Sequence, residues 1–204
     1  MSAKFNIIVF TKNVINLNWL LGVVQGRGLN PTINEIESVE NWDFEDLQIH
    51  ACETDTVEII GLLEAGRIIS ISGEVNSIKF VVMLSKLDNT YETRFSLDTK
   101  NIIYLDSDLL DELTQPIYDE VSKILLSPKM VNELLVSALG VEVIVDYYDD
   151  IHEMNLNSHN VVRWVFGIQK PRTNLSLKGY GQVSANIWDK VTWMVRIKDH
   201  FWFV

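Results

Sequence analysis

The stretch from Arg67 to Asp98 reads RIISISG, EVN, SIKFVVMLS, KLDN and TYETRFSLD, three strand-like runs separated by two short polar turn clusters. Runs joined so tightly have few folding options, and the simplest is an antiparallel meander. In the middle run Ile78, Phe80, Val82 and Leu84 fall on one face, and Val81 and Met83 make the other face apolar too. A run apolar on both faces belongs inside a sheet. The third run alternates, with Tyr91, Thr93, Phe95 and Leu97 on one side and Glu92, Arg94, Ser96 and Asp98 on the other. One side is expected to cover a core and the other to meet water. Built outward from this unit, the sequence predicts an α+β fold, a mainly antiparallel sheet with a central three-stranded meander (67–98) packed against four to five helices.

The flanking segments supply those further elements. Residues 4–10 (KFNIIVF) read as a strand, and Asn13 is placed to cap a helix running to Gln25. Residues 32–39 alternate weakly, with Ile33 on one side and Ile36 on the other, and 47–52 form a short strand. Asp55 and Glu58 open a helix carrying Val57, Ile59, Ile60 and Leu63, which Gly66 closes. Further helices are expected near Ser107, from Thr114 and from Ser127–Pro128. The last has Val131, Leu134, Leu135 and Ala138 inward and Gly140 as its stop. Strands follow at 141–148, 160–168, 191–197 and 201–204, with 170–182 as an edge or irregular piece. A helix–Gly–strand–turn–strand order occurs at 56–85 and again at 128–168, without a shared residue pattern. The chain is expected to form a single domain over 1–204, with two packed lobes meeting near residue 100 as the alternative.

A chain of 204 residues can bury a core large enough to need no disulfide or metal. Its lone cysteine, Cys52, cannot form an internal disulfide, which favours a reducing compartment. The N-terminal apolar stretch is too short for a signal peptide, and no window reaches the length of a membrane helix. The expected setting is therefore cytoplasmic, without membrane. Net charge is −11, distributed unevenly: residues 101–168 carry −9, whereas 169–204 carry +4. An acidic body repels phosphate backbones, which argues against nucleic acid, and suits capture of a basic protein partner.

The polar clusters each have a bland reading beside the chemical one. Asp146, Asp149, Asp150, His152 and Glu153 could offer oxygen ligands, yet they lack the glycine-centred spacing of a calcium loop. Asp106, Asp108, Asp111 and Glu112 are explained by the dipole of the helix expected there. His50 and Cys52 share a strand face, but with one cysteine in the chain a zinc site of the deaminase kind is excluded. Gly26-Arg27-Gly28 follows a helix rather than a strand, so it is no phosphate loop. Lys170, Arg172 and Lys178 are too few to make a nucleic-acid patch. No catalytic residue, metal site or cofactor is assigned.

Trp42, set among Glu40, Asp43, Glu45 and Asp46, has the character of an aromatic anchor inside a negative surface. With Asp149 and Asp150, those five residues form the expected partner-binding set. In size, charge and lack of catalytic motifs the chain is similar in physical character to bacterial immunity proteins and antitoxins, without a shared sequence pattern. That likeness implies a small protein-binding module that masks a basic partner, a toxin in the closest analogy, with carboxylates and an aromatic anchor. Two other classes stand beside it. One is an enzyme whose site around His152, Glu153, His50 and Asp150 assembles only in the fold. The other is a scaffolding subunit docking through its aromatic C-terminal strands.

Overall fold

A computed structural model describes residues 4–16, 31–40, 50–51, 56–75, 78–87, 89–98, 123, 127, 130, 132–146, 157–166, 180–184 and 192–196. Its strands are β1 (Lys4–Thr11), β2 (Pro31–Val39), β3 (His50–Ala51), β4 (Ile68–Val75), β5 (Ile78–Leu87) and β6 (Thr90–Asp98). The later ones are β7 (Leu134–Asp146), β8 (Asn157–Phe166), β9 (Tyr180–Ser184) and β10 (Thr192–Arg196). A single helix, α1 (Thr56–Glu64), is described along its length. All ten strands join one sheet in the order β3-β2-β4-β5-β6-β1-β7-β8-β10-β9, and every neighbouring pair is antiparallel.

The meander is present as β4, β5 and β6, with Ile71 opposite Val82 and Val82 opposite Phe95. The expectation of four to five helices is corrected: the described part is mostly antiparallel sheet with one helix. The clearest reversal is at 134–139, expected to be the inward stripe of a helix stopped by Gly140. Those residues are instead the first half of β7, and Leu134, Leu135, Val136, Ser137, Ala138 and Leu139 are all buried. LLVSAL is apolar on two opposite faces, which a helix against one surface cannot satisfy and a strand with both faces covered can. Met130 keeps a helical conformation and Asn132 and Glu133 form the turn before the strand. Gly140 marks an irregularity, where the β7–β8 register shifts on both its sides.

Asn13 is corrected likewise. Residues 14–16 are not helical, and the Asn13 Nδ2 donates to Glu133 Oε2 at 2.6 Å, pinning the end of β1 to the start of β7. The remainder of that expected helix, those near Ser107 and from Thr114 (apart from Lys123, which is helical), and strand 201–204 lie outside the described residues.

The helix at α1 ends as glycine chemistry dictates. Gly66 adopts φ 81°, its N–H donates to Leu63 O at 3.0 Å, and the Arg67 N–H donates to Leu62 O at 3.0 Å. This is the paired closure of a Schellman motif, which turns the chain directly into β4. The helix buries Ile59 and Leu63, one turn apart, against Ile69, Ile71, Phe80, Val82 and Leu84. Val57 and Ile60, expected in the same stripe, are exposed, so the buried face is narrower than the sequence suggested.

β2 explains its own weak pattern. Its pairing with β4 slips between Ile33 and Glu35, leaving Asn34 as the extra residue of a bulge. The slip returns Ile33 and Ile36 to the same face, where both pack on the cluster under α1. Gly73, opposite both Ile33 and Phe80, is the other half of this device. A Cβ placed there would lie 2.3 Å from Thr32 O and 2.5 Å from Phe80 Cζ, so the phenyl ring and a backbone carbonyl occupy the space a side chain would need. Gly73→Ala is expected to destabilise the fold by roughly 1–3 kcal/mol, the usual range for overpacking, read as a lowered midpoint in urea with unchanged slope. Adding Phe80→Leu should recover only part of the loss, because the carbonyl of Thr32 cannot rotate away.

Candidate functional site

The sheet register sorts side chains onto two faces with different chemistry. The α1 face carries Ile36 on β2, Ile69 and Ile71 on β4, Val82 and Leu84 on β5, and Phe5, Ile7 and Val9 on β1. Phe80 stacks on Phe95 there with ring centroids 5.7 Å apart. One polar atom, Thr93 Oγ1, is buried on this face with no hydrogen-bond partner among the described residues.

The opposite face changes character across the sheet. In one row Glu37, Ser70, Met83, Arg94, Ile8 and Ala138 succeed one another from β2 to β7; in the next come Glu35, Ser72, Val81, Ser96, Asn6 and Gly140. The β2 end is acidic, whereas Ile8 and Ala138 at the β1–β7 end are apolar and buried and Asn6 in the next row is half-buried. Between them sits a polar group that the sequence placed in water. Glu92 is only 1% exposed. Its Oε1 accepts from Arg94 Nη2 at 2.8 Å and from Arg94 Nε at 3.1 Å, and Ser85 Oγ donates to its Oε2 at 3.4 Å. The expectation that this side of β6 meets water is therefore corrected at Glu92, while Arg94 and Ser96 beside it are half-buried. β1 lies against β6 with Phe10 opposite Glu92 and Ile8 opposite Arg94, and both are fully buried, so the cover over them reaches the glutamate. The signal was available in outline: a Glu and an Arg two apart on one face, beside a neighbour strand apolar on both sides.

At the rim of the α1 face, Glu64 accepts from Tyr91 Oη and pairs with Lys86 Nζ, tying the end of the helix to the β5–β6 hairpin. The hydrogen bonds from Lys86 and Tyr91 hold the Glu64 carboxyl below the usual carboxylate range. The same contact with Glu64 raises both Lys86 and Tyr91. This is a structural clasp, exposed and built for fixing α1.

Of the expected partner-binding residues, the described part contains Glu40. It follows β2, is exposed, and its Oε1 lies 3.5 Å from Arg67 Nη1. Arg67 also donates from Nη2 to Ser38 O and from Nε to Ser38 Oγ, each at 3.1 Å, so the guanidinium bolts the α1–β4 corner to the end of β2. Trp42, Asp43, Glu45, Asp46, Asp149 and Asp150 lie outside the described residues, as do Cys52, His152 and Glu153. His50 is in β3, opposite Ser38.

Sequence reasoning missed two carboxylates on β2, the strand that leads to Glu40. Glu35 and Glu37 project from the same face of β2. Desolvation, then the charge of Glu35 and a hydrogen bond with it, raise the Glu37 carboxyl above its ordinary value. Two like charges so close are each stabilised by an incoming cation. Their shared face follows from the two-residue spacing; what the bulge at Asn34 hid is that Ile33 leaves that face, so that it is polar rather than mixed. Among the described residues, no group of three or more His, Cys, Asp or Glu is placed to hold a metal ion, and no helix is long and apolar enough to cross a membrane.

Comparison of the chain with protein-family models, with curated proteins and with solved structures finds no match. The functional reading therefore rests on these residues.

Arg94→Ala removes the guanidinium hydrogen-bonded to the buried Glu92 carboxylate, and is expected to cost roughly 3 kcal/mol, seen in chemical denaturation; Glu92→Gln should cost less, because an amide keeps the shape and needs no counter-charge. The Glu64 clasp has a defined pH behaviour. A carboxyl held low stabilises the fold above its unfolded pKa, and the stability is lost as pH falls through the folded one. Amide exchange at Ala65 to Arg67 should therefore stay slow through neutral pH and quicken below the ordinary carboxylate range. Tyr91→Phe should move that onset to higher pH.

Proposed function

We propose that this chain is a small acidic protein-binding module that masks a basic partner surface, like immunity proteins and antitoxins in physical character. The observation that carries the reading is the placement of Glu35, Glu37 and Glu40 along β2 and just beyond it, with the Glu37 carboxyl raised by its neighbourhood. Glu35 and Glu37, held together against their own repulsion, have most to gain from a cationic surface, and a net charge of −11 steers such a partner toward them. Glu40 is already answered in part by Arg67, so its share in binding includes exchanging one cation for another. Trp42, Asp43, Glu45 and Asp46 continue the same stretch of chain and are proposed to extend the patch. Asp149 and Asp150 are proposed to belong to it as well.

The test uses the products of the neighbouring reading frames, each purified and mixed with this chain. One basic product is expected to bind and lose its activity on binding. Its association rate should fall about tenfold or more between low and physiological salt, as the steering field is screened. Glu35→Gln with Glu37→Gln should slow association more than it speeds dissociation. Binding that ignores salt, or a partner with an acidic contact surface, overturns the reading.

A further inference from the structure

We infer that the basic partner docks by adding a β-strand to the outer edge of β2, and that this strand alternates Lys or Arg with apolar residues. The inference rests on the acidic-capture reading above and specifies its geometry. β4 occupies one edge of β2 along its length, whereas on the other edge β3 pairs only at Glu37 and Ser38. Among the described residues, the outer edge of Pro31–Ile36 has no strand partner, and Thr32, Asn34 and Glu35 are exposed. Every second residue of a strand turns its N–H and C=O to the same side, so this edge offers a row of backbone donors and acceptors. β3 shows that the edge accepts an antiparallel neighbour, and an added strand would lengthen the line that β3 begins.

The two faces of β2 choose the occupant. On one face an incoming strand meets Glu35 and the raised carboxyl of Glu37; on the other it runs beside Ile33 and Ile36. Side chains directly across a strand pair gain from opposite charge and from apolar contact. The complement is therefore basic on one side and apolar on the other. A second copy of this chain is a poor fit, because it would bring Glu35 and Glu37 against their own like charges. Proline at the first position, the bulge at Asn34 and the carboxylates are the usual guards of an edge. Here the same carboxylates that repel a twin select a cationic strand.

The experiment compares two synthetic peptides, acetyl-TKVKVKVT-amide and the same sequence N-methylated at alternate residues, against the full chain at about 20 mM salt. They carry equal charge, but only the first can extend a ladder. The expected result is saturable binding of the first, about tenfold tighter than the second, with slowed amide exchange confined to alternate residues between Thr32 and Ile36. Glu35→Gln with Glu37→Gln should weaken it about tenfold without lowering the unfolding midpoint, since relieving the repulsion between the two carboxylates can only raise it. Equal binding of both peptides without protection of β2 overturns strand addition and leaves the acidic-capture reading standing. Absence of binding by either peptide overturns both.

Discussion

Everything in this fold depends on how β1 is placed. KFNIIVFT lies between β6 and β7, and Phe5, Ile8 and Phe10 are almost completely removed from water, on opposite faces of the same strand. Burying a large apolar side chain contributes about 1.5–3 kcal/mol, and β1 does so on both sides at once. The meander of β4, β5 and β6 is a local device, closed by short turns. β1 converts it into something larger, because it joins that meander on one edge to β7 and β8 on the other. Ser137, a polar residue in the midst of this, is satisfied by donating to Ile8 O at 2.9 Å. The Asn13–Glu133 hydrogen bond seals the same junction at its end.

That placement also explains the polarity of the second face. Where Ile8 and Phe10 of β1 and Val136 and Ala138 of β7 run, the side chains are fully buried, and Glu92 survives beside them with Arg94 and Ser85 as partners. A buried ion pair is weak evidence for stability, since desolvation offsets much of the attraction. Its consequence here is registration. A one-residue slip of β6 against β1 and β5 would carry Glu92 to the α1 face, beside Val9 and Leu84, and turn Phe95 away from it. Two strands away serines take over on β4, and β2 ends the face with the exposed Glu35 and the half-buried Glu37.

Local chemistry was readable wherever one face and one turn decided the outcome. The Arg67–Asp98 meander and the glycine-closed helix before it fall in this group: alternation and short turns named the strands, and Gly66 with its positive φ named the stop. Tertiary context decided the rest. LLVSAL carries good helix formers and a stripe at helical spacing, yet a strand slot beside β1 buries both its faces. Ile33 and Ile36 seemed to point apart because a bulge cannot be seen in spacing alone. The two carboxylates of β2 were spaced to share a face, but the same bulge made Ile33 seem to lie among them, and the Glu92–Arg94 pair was hidden by a neighbour from the far end of the chain. The acidic surroundings of Glu40 are plain in the sequence, but not the Arg67 that answers it, which arrives from another corner of the fold.

The central position of β1 has a bearing on how the polypeptide is made. Its partners are Lys4 with Asp98 on one side and Phe5 with Val141 on the other, so the segment leaves the ribosome long before either neighbour exists. During that interval a sticky, β-prone octapeptide with one basic residue waits without a ladder, the kind of segment that nascent chains lose to aggregation or to a chaperone. Biogenesis, more than the finished molecule's stability, is then where this architecture is most vulnerable.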